Sequence, residues 1–124
     1  MSMWKCLRLY ADAEGISRVD PNHTIGLSEV AFAPPAPSML IARFPNAQAL
    51  AFIELPVGWQ GGWHPSPQVQ WVICLGGEMG YQAGDGESFT LKAGTYILTT
   101  DTHGQGHDSW NAGTEPVRLA VVQV

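Results

Sequence analysis

The sequence predicts an all-β fold, one domain built as a sandwich or barrel of short strands, and three observations carry that reading. Gly 14 and Pro 9 interrupt the 124 residues so often that long helices have almost no room. Short apolar segments recur down the chain with turn residues between them, the pattern of a sandwich or barrel. No segment holds a helical apolar period over about ten residues, and no internal repeat appears. The length leaves no room for two folded domains.

Taken in order, Trp4 to Tyr10 mixes alternation with continuous apolar character and is closed by Asp12-Ala13-Glu14-Gly15, so it reads as a first strand or arm. His23 to Ala33 has room for a short strand. Pro34-Pro35-Ala36-Pro37 then forbids helix and central-strand pairing and runs as an extended surface connector within the domain. Further strands are expected at Met39 to Phe44, Ala49 to Leu55, Val69 to Leu75, Glu78 to Gln82, Ser88 to Leu91, Tyr96 to Thr99 and Val117 to Val124. The breaks between them, such as Gly76-Gly77, Gly84-Asp85-Gly86 and Gly104-Gln105-Gly106, carry residues that accept tight reversals. In Val69 to Leu75, Gln70, Val72 and Cys74 share one face and Val69, Trp71, Ile73 and Leu75 the other, so both faces are nearly apolar and both need cover. A second sheet or a partner subunit has to supply it, and a chain this short has little spare material.

Composition excludes several partners. Charged residues are 14% of the chain, against about 25% in average soluble proteins, and 45% is hydrophobic, so the chain is not disordered. Six Lys and Arg against eleven Asp and Glu give a net charge of −5 with no basic run, which leaves nothing for nucleic acid or an anionic membrane to grip. The segment Met1 to Tyr10 has no signal-type apolar core, and the longest apolar runs are far too short to span a bilayer, so a cytoplasmic protein is the default expectation. Cys6 and Cys74 lie in apolar, strand-like surroundings and read as reduced core residues.

Two segments stand out by spacing: Gly62-Trp63-His64-Pro65-Ser66-Pro67-Gln68-Val69-Gln70 running into Cys74-Leu75-Gly76-Gly77-Glu78, and Gly104-Gln105-Gly106-His107-Asp108-Ser109-Trp110-Asn111 preceded by Ala93-Gly94. Together they resemble the two motifs of the cupin superfamily. His64 falls on the first motif's leading histidine, while His107 and Asn111 reproduce the spacing of the second, with Thr102 where the family has proline. The resemblance spans about Ala49 to Val124. It implies a cupin double-stranded β-helix, or jelly-roll barrel, with an N-terminal β arm: a single domain 1–124, in which 1–48 is the arm with edge strands and 49–124 the barrel core.

The resemblance also implies a ligand set, and this chain departs from it. Ser66 stands at the second histidine position and Gln70 at the glutamate position, so two of the four usual metal ligands become neutral oxygens. Such a site offers no anionic charge to a divalent ion, and weak metal affinity is expected. His103 is the candidate rescue: it lies about 13 Å from His107 along an extended strand, but Gly104-Gln105-Gly106 can fold the chain back and join His64, His103 and His107 in a three-histidine site. Otherwise His64 and His107 serve as hydrogen-bonding groups in a polar pocket.

Five Trp residues are a high share, and Trp59, Trp63, Trp71 and Trp110 lie in or beside the motifs. Trp71 reads as core, whereas Trp59 and Trp63 flank a Gly-rich turn at the expected barrel mouth. The expected function is therefore binding of a small polar or aromatic molecule by Trp59, Trp63, His64, Gln70 and His107, with no firmly held metal. The alternative is a cupin enzyme of dioxygenase, isomerase or decarboxylase type, in which His64, His107 and His103 hold Fe, Mn, Ni or Zn. A carbohydrate-binding module would explain the tryptophans but not the histidine spacing. A Ser/His/Asp hydrolase is disfavoured, because the adjacent His107, Asp108 and Ser109 cannot face one another along a strand. The two-sided strand, the arm and the small size lead us to expect a homodimer.

Overall fold

The computed structural model describes residues 2–124, and its regular elements are all strands. They are β1 (Ser2–Ala11), β2 (Ser17–Val30), β3 (Met39–Ile41), β4 (Ala49–Leu55), β5 (Gln70–Gly76), β6 (Glu78–Gln82), β7 (Ser88–Lys92), β8 (Tyr96–Thr99), β9 (Asp108–Asn111) and β10 (Val117–Gln123). No helix among the described residues is long and apolar enough to cross a membrane. A seven-stranded sheet runs in the order β3-β2-β1-β8-β5-β10-β4 and faces a three-stranded sheet of order β7-β6-β9. The neighbours pair antiparallel except β1 and β8, which run parallel. Beyond β9, isolated bridges Gln60↔Trp110 and His64↔His107 continue the small sheet by a further stretch of backbone.

Alternation places the core. Val72 and Cys74 of β5, Val117, Leu119 and Val121 of β10, and Met79 and Tyr81 of β6 point between the sheets and form one buried cluster with Leu9, Leu55, Leu91 and Ile97. Both cysteines are free and buried, and burial pushes both thiols up, as expected of small apolar core residues. Trp110 crosses Gly80 on the facing strand so closely that a Cβ there would overlap the indole.

Three features refine the expectations. The N-terminal segment is a strand of the large sheet: β1 pairs with β2 along its length and with β8 on its other edge. Its hairpin is set by Asp12, whose carboxylate accepts the Glu14 and Ile16 amides and the Arg18 guanidinium, which holds the carboxyl below its usual range. The segment at Asp108–Asn111, read from the sequence as a motif, is a strand of its own. Third, the outer face of β5 is covered in part by this chain itself. Phe44 meets Trp71 edge-on at 5.4 Å, with Tyr96 and His23 on other sides, leaving Trp71 only 7% exposed. Leu75, further along that face, stays 55% exposed. The proline run lies exposed between β2 and β3, as its sequence requires.

Asn111 ties the ends of the barrel core together. Its Nδ2 donates to the carbonyls of Leu55 and Pro56 at 3.2 Å and Glu115 at 2.9 Å, and its Oδ1 accepts the Gly113 amide. Asn111→Ala strands these backbone groups, some of them buried, so we expect a loss of about 2–3 kcal/mol in urea unfolding at unchanged m-value. A loss under about 0.5 kcal/mol, the range of an ordinary surface substitution, would show that the side chain is dispensable.

Candidate functional site

Between the sheets, behind the chain that links β4 to β5, lies a cavity of about 210 Å³. Its walls are mostly apolar: Ile53, Leu55, Trp59, Val72, Met79, Leu119 and Val121. Into these walls are set His64, Gln70, Tyr81, His107 and Ser109. The inward parity of β5, β6, β9 and β10 puts Gln70, Tyr81, Ser109 and Val121 on the cavity side, so strand alternation alone delivers most of the lining.

The two histidines are positioned by backbone. The His64 amide donates to the His107 carbonyl at 3.0 Å and the His107 amide returns the bond to His64 at 3.1 Å. Their rings stand 5.0 Å apart. Gly106 permits this approach, because its φ is +76° and a Cβ there would overlap the His64 carbonyl. Each ring is held through Nδ1: His64 donates to the Gly62 carbonyl at 2.7 Å, and His107 is hydrogen-bonded to Asp101 Oδ2 at 2.6 Å. The two differ in setting. His64 sits at the exposed mouth, whereas His107 is buried and the Asp101 carboxyl is completely enclosed, its Oδ1 without a hydrogen-bond partner among the described residues.

Of the residues expected in the pocket, Trp59, His64, Gln70 and His107 line this one cavity. Trp63 does not: it projects outward, 41% exposed, because the turn at Gly62 carries it past the mouth. His103 does not join the other histidines either. It lies exposed on the loop 102–106 and takes no part in the lining. The Gly104-Gln105-Gly106 reversal does occur, but it packs the loop against Gly15 and leaves His103 outside. Three residues of the site went unnoticed in the sequence. Tyr81 and Ser109 are visible in hindsight from period-two alternation with Met79 and Asn111, whereas Asp101 depends on how the loop 102–106 returns.

The donor chemistry tests whether a divalent ion fits. Imidazoles anchored through Nδ1 to an oxygen are what a metal site's outer shell provides. The remaining donors fall short. The Ser66 hydroxyl is committed to the Gln68 carbonyl at 2.6 Å and to Thr99 at 2.9 Å. Gln70 offers a neutral amide that meets Gln123. Asp101 faces the far nitrogen of His107, and among the described residues no three His, Cys, Asp or Glu side chains gather where an ion would sit. Two imidazoles and neutral oxygens do not make the three-ligand set that a resident catalytic ion needs.

Tyr81 has a different electrostatic setting. Burial, with Cys74 and Asp101 nearby, pushes its hydroxyl far above the usual phenol range, so it stays protonated and is a hydrogen-bond donor. Its ring lies 5.5 Å from that of His107 and stacks on Phe89.

Comparison with known proteins places this architecture. The cupin domain family matches residues 51–123. A search of the curated proteins finds no match. Among solved structures, the cupin domain of Cnp3 from Schizosaccharomyces pombe is similar over 98% of this chain and 86% of its own, at 14% identity and a TM-score of 0.51. A predicted oxalate decarboxylase from Thermotoga maritima is similar over 81% and 93%, at 22% identity and a TM-score of 0.50. At these identities the likeness is one of fold. With its two facing sheets and the family match over the barrel core, the chain belongs to the cupin domain family.

Proposed function

We propose that this cupin binds a small, neutral, largely apolar molecule in the cavity between its sheets and does so without a resident metal. What supports the reading is the cavity itself. It is smaller than the roughly 300–1,000 Å³ of drug-sized sites, its walls are apolar, and it carries a few convergent polar groups. No Lys or Arg lines it, so a carboxylate or phosphate would enter without a counter-charge. An aromatic or alicyclic body can rest against Trp59 while a hydroxyl or carbonyl meets His107, Gln70 or Ser109. Two free buried thiols suit a reducing compartment such as the cytoplasm.

A panel of small molecules tests the reading. Para-cresol and phenylacetone are expected to raise the melting temperature and change tryptophan emission, whereas benzoate of the same size does neither. A ligand at a hundred times its dissociation constant adds about 2.7 kcal/mol, a shift of several degrees in a domain of this length. Trp59→Ala should weaken binding of the neutral probes at least tenfold. Equal responses to benzoate and cresol, or an unaffected Trp59→Ala, would contradict the assignment. Chelation followed by return of Zn(II) or Mn(II) should leave the melting temperature where it was, and a fall of several degrees on chelation would reinstate the metal reading.

We propose in addition that a second copy covers the outer face of the large sheet. Trp4, Ile25, Phe44, Ile73, Tyr96 and Val122 form a groove there without a charged group, and Leu50 and Phe52 of the edge strand β4 are 60% and 75% exposed. Monomers seldom leave such a surface in water, and one face meeting its own copy about a two-fold axis is the simplest closed way to cover it. Sedimentation at micromolar concentration should give a dimer that Phe52→Glu together with Ile73→Glu splits. A monomeric wild-type protein would rule the interface out.

A further inference from the structure

Resting on the proposed ligand cavity, we infer that Asp101 presets His107 as a proton acceptor aimed at the bound molecule, so that the ligand is one with an acidic O–H or activated C–H, a phenol, an enol or a small ketone. His107 Nδ1 meets Asp101 Oδ2 at 2.6 Å, and a carboxylate at that position keeps a proton on the facing nitrogen. Nε2 makes no hydrogen bond among the described residues, and His107 lines the cavity, so a lone pair is what this ring offers to a guest. This geometry is costly to keep. A fully enclosed carboxylate with one oxygen unpartnered and no Lys or Arg paired to it among the described residues stabilises the fold poorly. Among the described residues its side chain hydrogen-bonds to the histidine, and orienting that ring is the work left for it.

The chemistry balances within the site. A proton on the guest's oxygen or α-carbon passes to His107 Nε2, the imidazolium pairs with the Asp101 carboxylate, and the anion left behind carries its charge on oxygen. Tyr81, a protonated phenol on the same wall, is the donor available to that oxygen. Return of the proton to carbon or to oxygen regenerates the imidazole, so the pair supports reversible enolisation with no other reactant. Asp101 is here a positioning residue; His107 is the group that meets the ligand.

Diethyl pyrocarbonate, which acylates the unprotonated imidazole nitrogen, reads the acceptor directly, with His64 as internal reference and peptide mass spectrometry to separate the two. In the wild-type protein His107 should be labelled despite its burial. Asp101→Ala should slow labelling at His107 about tenfold or more while leaving the His64 rate and the melting temperature close to wild type. Asp101→Asn, which keeps an oxygen facing Nδ1 but removes the charge, should fall between. If Asp101→Ala melts early, the Asn variant alone still carries the expected slowing. Labelling of His107 that ignores both substitutions would overturn this inference and leave ligand binding standing. A wild-type His107 that resists the reagent while His64 reacts would show a closed cavity, and both readings would fall.

Discussion

A reciprocal pair of backbone hydrogen bonds between His64 and His107 fixes the rest of the site. The small sheet has only three strands, and without a further stretch of backbone beside β9 the space between the sheets would open to solvent. The bridge draws in the chain from Gln60 to His64, closes that side and carries Trp59 and His64 to the cavity wall. Everything at the bridge is tightly specified. Gly106 has no side chain to obstruct it, and Ser17 Oγ, reaching across from β2, donates to the Gly106 carbonyl at 2.8 Å while accepting the Gly84 amide. The N-terminal strands therefore help to hold the loop that positions His107. They are structural support for the site rather than an appendage to the barrel.

The balance of forces inside the cavity explains its character. Apolar walls give a guest a favourable place to leave water, roughly 25 cal/mol for each Å² of apolar surface buried. Several of its polar groups are already paired: Ser66 with Thr99 and Gln68, Gln70 with Gln123. In the proposed binding function, selectivity rests on the unpaired ones. A site with few polar partners discriminates mainly against ligands whose charges or hydrogen-bonding groups it cannot satisfy. With Ser66 and Gln70 at the positions of the family's second histidine and glutamate, the cavity wall carries neutral oxygens there in place of a carboxylate.

Much of this was legible in the sequence. The strands at Ala49–Leu55 and Tyr96–Thr99 fall where apolar patterning and glycine breaks put them. Trp59, His64, Gln70 and His107 meet in one cavity because motif spacing and strand parity both constrain them. What could not be read depends on contacts between distant segments. Trp4 to Tyr10 has the pattern of a strand, but nothing local says that its second edge meets Tyr96–Thr99 in parallel. Trp63 and His103 are chemically as suited to the pocket as their neighbours, and turns at Gly62 and Gly104 send them outward. Asp101 lies six positions before His107, and the path of the intervening loop alone makes them partners.

The state of one imidazole is the most direct readout of the site's proposed chemistry. Long-range nitrogen–proton correlation NMR of the histidine-labelled protein at pH 8 reports which ring nitrogen carries the proton. His107 is predicted to hold it on Nδ1, in a strong hydrogen bond to Asp101, with Nε2 showing the shift of an unprotonated nitrogen. A proton on Nε2, with Nδ1 bare beside Asp101, would contradict the role of His107 as a proton acceptor facing the cavity.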